Sequence, residues 1–245
     1  MEINEATIKE IIVVTDGQSN IGGNPVEAAR KAFRKGITVS TIGIIDQKEQ
    51  REAPFQEVVN MAEAGGGHYE YTYIDNLSQT IHTLSHKTVT STLQEAVNKQ
   101  LKQLMGNELN QMPPESRSKL LNYIDKYSDE VGVCCCILLD CSGSMAHKIQ
   151  SARHSILDLL DSFGNRKGRI DIAVVAFPGE QADTCRVLHH FNDDLNQMER
   201  NLHRMKPKGG TPTAVAIDYA TKLIEDFYSV GRNKERITAL EEYVV

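Results

Sequence analysis

Val131-Gly132-Val133-Cys134-Cys135-Cys136-Ile137-Leu138-Leu139-Asp140-Cys141-Ser142-Gly143-Ser144-Met145 passes from apolar to polar at a single residue, Asp140. Val131 to Leu139 is a continuous apolar run with no helical periodicity, the pattern of a strand buried on both faces. It stops at an acidic and hydroxyl-rich loop. From His147 to Phe163 the pattern becomes helical, with Ile149, Ala152, Ile156, Leu159 and Leu160 on one side. A buried strand, a polar loop and a helix in that order form one unit of an α/β sheet. Ligands of such sheets sit beyond the carboxyl ends of the strands.

The same unit recurs on both sides. Ile8 to Thr15 reads as a strand ending in Asp16-Gly17, followed by a Gly- and Asn-rich loop, Gln18 to Asn24. Pro25 starts a helix that runs to about Lys35 and ends at Gly36. Ile37 to Ile45 is a second buried strand, Phe55 to Ala64 a helix, His68 to Tyr73 a short aromatic strand, and Leu77 to about Lys87 an amphipathic helix. In the last third, Arg169 to Phe177 and Thr184 to Phe191 are strands joined through a Pro-Gly turn, an expected antiparallel hairpin at a sheet edge. Leu195 to Met205 and Ala214 to Tyr228 are helices. The alternation predicts an α/β fold around a mainly parallel sheet.

Residues 89–130 differ, with no strand pattern. Leu93, Val97, Leu101 and Leu104 make one helical stripe, Thr92 and Glu95 have capping-box spacing, and after Pro113-Pro114 a helix resumes from Glu115 to Tyr127. The expectation is a helical linker or insert whose stripe packs on the parent domain. The tail Arg236 to Val245 fits either a vestigial strand or an ordered extension.

Composition narrows the function. A net charge of -6 and the lack of a basic block interleaved with aromatics argue against a nucleic-acid backbone as partner. The longest apolar run falls well short of the roughly 20 residues of a bilayer span, and no signal-peptide core follows the acidic start, so no membrane segment is expected; cysteines without a disulfide pattern favour a reducing compartment, the cytoplasm. Three of the five cysteines are consecutive. Neighbours in a strand point to opposite faces, so Cys134, Cys135 and Cys136 are expected as buried, reduced thiols. His82 and His86 share a helical face but lack the glutamate of a His-Glu-x-x-His site. His189 and His190 point to opposite faces of an edge strand. No phosphate-binding Gly-x-x-x-x-Gly-Lys loop and no Gly-x-Ser-x-Gly elbow occurs.

Asp140, Ser142 and Ser144, at i, i+2 and i+4, can aim three oxygens at one point, with Gly143 easing the bend. Such hard oxygen donors suit Mg²⁺ or Mn²⁺ rather than structural zinc. Taken alone, the pattern equally fits a helix N-cap cluster.

Three loops together resemble the von Willebrand factor type A (VWA) domain. Leu138 to Met145 looks like the first loop of its metal-ion-dependent adhesion site, Gly209-Gly210-Thr211-Pro212-Thr213 like the second, and Ile11 to Gly17 like the third. Met61 to Tyr69, followed by Leu77 and Ile81, resembles the family's last helix, short strand and closing helix. The likeness covers about residues 6–88 and 131–230. It implies a Rossmann-like fold with helices on both faces and one antiparallel edge strand. It also implies a metal site of Asp140, Ser142, Ser144, Thr211 and Asp16, holding Mg²⁺, with Mn²⁺ or Ca²⁺ as alternatives.

The order is inverted relative to the family, since the third-loop half comes first. The expectation is one circularly permuted domain, residues 1–88 and 131–245 together, joined by the helical segment 89–130; small bacterial VWA proteins with this arrangement are similar. A swapped dimer of half-domains is the other reading of the order, and the oligomeric state stays open. The implied function is binding of a protein partner that supplies a Glu or Asp side chain to the metal, with Gly17, Met145, His147 and Pro212 as the contact rim and no turnover. The alternatives are an accessory subunit of a separate ATPase and a Mg²⁺-assisted hydrolase.

Overall fold

The computed structural model describes residues 7–45, 53–106, 108–163, 167–179, 183–191, 193, 199–202 and 205–242. In chain order the elements are β1 (Thr7–Thr15), α1 (Pro25–Arg34), β2 (Ile37–Ile44), α2 (Ala53–Ala64), β3 (Gly66–Thr72), α3 (Leu77–Met105), α4 (Pro114–Ser128), β4 (Gly132–Asp140), α5 (Ile149–Phe163), β5 (Ile170–Phe177), β6 (Arg186–His189) and α6 (Thr213–Glu242). Helix α1 shows how local sequence sets these limits. The Asn24 side chain accepts hydrogen bonds from the N–H groups of Val26 and Glu27, Pro25 occupies the first turn, and the helix ends before Gly36, whose φ is 76°.

Six strands form one sheet in the order β3-β2-β1-β4-β5-β6. Every pairing is parallel except β5 with β6, so the expected antiparallel edge is present. Apolar side chains line both faces. Ile8, Ile12, Val14, Ile137 and Leu139 face α3 and α5 through Leu77, Ile81, Leu84, Ile149, Ile156 and Leu159. Ile11, Val13, Leu138, Val175 and Phe177 face α1, α2 and α6 through Ala29, Ala32, Met61, Ile217 and Ile224. The cysteines divide as strand alternation requires, Cys135 to the first face and Cys134 and Cys136 to the second. All five are free thiols. Burial pushes Cys134 up to about 12 and Cys185 up to about 11, so these sulfurs stay protonated and inert.

The middle of the chain departs from the expected pattern. No helix starts at Thr92. Its hydroxyl instead bonds back to the Thr88 carbonyl at 2.8 Å, and α3 runs unbroken from Leu77 to Met105. The capping-box spacing was therefore overridden by four more turns of continuous amphipathic helix. Leu93 packs against the core, whereas Leu104 is 81% exposed, so the stripe leaves the body of the protein at its far end. Helix α4 packs on α3, and the His86 Nε2 and Ser128 Oγ atoms are 3.2 Å apart across that seam. As far as Glu242 the tail is helical rather than a strand, since α6 continues to that residue; 243–245 fall outside the described residues. Strand β6 is shorter than expected. Of the expected Leu195 to Met205 helix, residues 199–202 are helical, Met205 lies beyond it, and the rest fall outside the described residues.

One buried charge runs against the apolar pattern. Glu10, fully buried in β1, accepts a hydrogen bond from Ser40 Oγ at 2.9 Å, but its Oε2 has no partner. Burial pushes this carboxyl up, while the hydroxyls of Thr88, Ser40 and Ser85 pull it back.

Two outcomes follow. A carboxyl raised in the folded state adds stability that is complete below its unfolded value, about 4.3, and that is lost as pH rises through the folded value. Glu10→Gln should therefore match wild type in thermal unfolding near pH 4 and unfold a few degrees higher at pH 8; equal unfolding temperatures at pH 8 would contradict this. The fragment 131–245 should show no cooperative unfolding, because without β1 one edge of β4 is exposed along its length.

Candidate metal site

Parallel pairing builds the site. Val14 lies opposite Leu139 in the β1–β4 register, so the next residues along each strand, Thr15 and Asp140, emerge side by side at the carboxyl edge. Their loops diverge there and leave a polar notch between them. Asp140 is fully buried. Its Oδ1 accepts from the Ser142 N–H at 2.8 Å and its Oδ2 from Thr15 Oγ1 at 2.6 Å. Burial pushes the Asp140 carboxyl up to about 6, with the Asp16 charge adding to the rise and the donors from Thr15 and Ser142 opposing it.

Asp16 crosses to the other loop. Its Oδ1 accepts from Ser144 Oγ at 2.7 Å, and Ser144 Oγ lies 3.0 Å from Ser142 Oγ. Its Oδ2 is 2.6 Å from Lys148 Nζ. A third loop closes the arrangement. The Gly143 N–H donates to the Gly209 carbonyl at 3.2 Å, and the Lys208 N–H to the Cys141 carbonyl at 2.9 Å. Asn20 grips Thr211 on both sides: its N–H donates to the Thr211 carbonyl at 3.2 Å, and its Oδ1 accepts from the Thr211 N–H at 2.8 Å. Gly210 permits this approach, because a Cβ there would run into Asn20 Oδ1 and the Ile21 side chain. Glu57, reaching from α2, accepts the Ser19 N–H at 2.7 Å and steadies the loop after β1.

The structure thus gathers Asp140, Ser142, Ser144 and Asp16 into one hydrogen-bonded cluster and fastens the Thr211 backbone beside it. The oxygens of Asp16, Ser144 and Ser142 are spaced at 2.7 and 3.0 Å. These are ordinary hydrogen-bond lengths, and they are compatible with the edge of about 2.9 Å between adjacent ligands of an octahedral Mg²⁺ with bonds of 2.0–2.1 Å; the donor set has the chemistry for such an ion. Among the described residues no group of three or more His, Cys, Asp and Glu gathers to hold a metal.

The expected rim needs correction. Met145 is fully buried among the apolar side chains facing α5, and Pro212 is buried as well. The loop that carries Met145 is a 3-10 turn, Gly143–His147, whose tight winding sends that side chain into the core. Gly17 is half-buried and His147 exposed. The exposed surround is instead formed by Ser144, Ala146, His147, Asn20 and Ile21, the last 56% exposed. Sequence reasoning also passed over Thr15, Asn20, Glu57 and Lys148. Thr15 and Asn20 lie in stretches already singled out. Lys148 reads in sequence as an ordinary first-turn lysine, and nothing local announces its pairing across 132 positions.

These loops define a recognised class, and the chain belongs to it: two models of the von Willebrand factor type A domain match residues 4–87 and 135–237. Domains of this family commonly mediate protein–protein interactions and often hold a divalent metal at the loop cluster. The protein is 33% identical to the uncharacterized protein YabS of Bacillus subtilis over 229 residues, covering 93% of each chain. It is 38% identical, with a TM-score of 0.82, to an uncharacterized protein from Alicyclobacillus acidocaldarius known from its crystal structure; the match covers 93% of this chain and 96% of that one.

Thr15→Val tests the buried support of the site. It removes one donor from a carboxylate that water cannot reach, and should lower stability in EDTA at pH 7.5 by about 1.5–3 kcal/mol. Urea unfolding measures the loss, and a change below about 0.5 kcal/mol would show that the Thr15 hydroxyl carries little.

Proposed function

We propose that this protein is a Mg²⁺-dependent protein-interaction module. The observation that carries the reading is the run of oxygens from Asp16 Oδ1 through Ser144 Oγ to Ser142 Oγ at octahedral-edge spacing, set over the buried Asp140 carboxylate. In this reading the ion is held by Ser142, Ser144, Thr211, Asp16 and Asp140. When bound it supplies a Lewis-acidic contact for an acidic side chain of the partner. The chain's own residues do the rest. Thr15 and the Ser142 N–H keep Asp140 ionised and oriented, Asn20 fixes the height of Thr211, and Glu57 holds the loop that carries Asp16 and Ser19.

The reading includes three further parts. The chain is one circularly permuted domain. The central β1–β4 pairing supports this, since it places both matched halves in one sheet. The protein is not an enzyme: the serine hydroxyls are engaged with one another and with Asp16, an arrangement that serves cation binding. It resides in the cytoplasm, in keeping with five free cysteines; among the described residues no helix is long and apolar enough to cross a membrane.

Titration calorimetry should give a Mg²⁺ or Mn²⁺ isotherm for wild type and none for Ser142→Ala or Asp140→Ala; both should fold, because neither change opens the apolar layers, with Asp140→Ala the less stable since it takes a buried acceptor from Thr15 at the end of β4. Partner capture from cell extract should succeed in Mg²⁺, fail in EDTA and fail with Ser142→Ala. Alanine scanning of the captured partner's acidic residues should then find one that abolishes binding. Metal-independent capture would place the contact elsewhere, and metal-dependent turnover of a phosphoester panel would favour the hydrolase reading.

A further inference from the structure

Lys148 is a buried ammonium inside a site expected to hold a cation. It occupies the position before α5, where its carbonyl accepts the Ala152 N–H at 3.0 Å, and the residue is 9% exposed. The lysine and Asp16 side chains that form the ion pair are 11% and 1% exposed. Removing both charges from water is costly and is recovered only with close geometry and further hydrogen bonds. Both are present: the Nζ to Oδ2 separation is 2.6 Å, and the remaining Asp16 oxygen is held by Ser144.

The two oxygens of Asp16 therefore have separate duties. Oδ1 faces the serine hydroxyls, and Oδ2 faces the lysine. Lysine pairing and ligation through Oδ1 use different atoms, so one need not displace the other. The charge count then changes. Counting Asp140, Asp16 and Lys148 alone, two carboxylates and one ammonium sum to a single negative charge, and a divalent ion would turn that into a single positive one. Without the lysine, the loaded site would be neutral and a water molecule would complete it. With the lysine, charge is left over in a partly dry cradle, where Coulomb terms exceed their value in water.

We propose that Lys148 is a fixed internal counter-cation of the metal site: it holds Asp16 in place in the metal-free protein, lowers affinity for the metal, and leaves the loaded site with a net positive charge that selects an anionic ligand for the open position. This rests on the reading of the loops as a metal site, and it gives the acidic partner a cause in this chain's own residues. A neutral side chain at 148 should tighten metal binding for two reasons that act together. The notch becomes more negative, and the metal-free state is left with unpaired buried carboxylates. Ser144 still orients Asp16, so the ligand set survives.

The test uses the full-length chain and the metal alone. Mg²⁺ and Mn²⁺ are titrated into wild type, Lys148→Met, Lys148→Gln and Lys148→Arg at pH 8, with unfolding temperatures measured in EDTA and in Mg²⁺. Lys148→Met and Lys148→Gln should bind metal about tenfold tighter or more. Lys148→Arg, which keeps the charge, should stay near wild type. The neutral variants should melt lower in EDTA yet gain more from Mg²⁺ than wild type does. A merely structural lysine would give the opposite sign, weaker binding in every loosened loop. Equal or weaker metal binding in a folded neutral variant overturns the inference while leaving the metal site intact. No metal binding by wild type overturns the metal-site reading, and this inference with it.

Discussion

The parallel pairing of β1 with β4 is the constraint on which everything else depends. These strands belong to segments separated by more than a hundred residues, yet they are neighbours at the centre of the sheet. Their register brings Thr15 and Asp140 out side by side, so the alignment of two backbones sets the distance between two loops. A slip of one residue would exchange the faces of the strands and send apolar side chains to the wrong layer. The interior thereby enforces the site: burial on both faces of β4 fixes the register, and the register fixes the separation of the oxygens.

Most of the fold was legible because it is written in local patterns. A β-branched, largely apolar stretch at Ile37–Ile44 and the apolar run that leads to Asp140 marked strands buried on two faces, and Asn24-Pro25 with Gly36 bracketed a helix almost to the residue. The errors fell where two local signals conflicted. Thr92 and Glu95 have the spacing of a helix start, but helical pattern lies on both sides of them. Propagating an existing helix costs less than nucleating a second one, so the threonine bonds back into the turn before it. Met145 was misplaced for a related reason. Position within a motif gives its place in the chain, but the winding of the 3-10 turn decides which way it points.

The chemistry of the site was legible in part. The hydroxyls and carboxylates at 16, 140, 142, 144 and 211 could be named because three loops together resemble those of a known family; the spacing alone fitted a helix cap equally well. What neutralises and supports them could not. Lys148, Glu57 and Asn20 act through contacts between distant positions, and each is an ordinary polar residue where it stands. The electrostatic character of the notch follows from those partners. Two aspartates alone suggest a site that a divalent ion would make neutral, and adding the lysine would leave one positive charge over.

The three consecutive cysteines have a consequence of a different kind. Their sulfurs alternate between the two faces of β4, a strand zipped to β1 on one side and β5 on the other, and burial keeps them protonated. An alkylating reagent can reach Cys135 only when the helices over the first face lift, and Cys134 or Cys136 only when those over the second do. The trio is thus a pair of internal clocks. Labelling rates at adjacent positions on a single strand read the opening of each layer separately, and so reveal whether the protein breathes one side at a time or parts along its central seam as a whole.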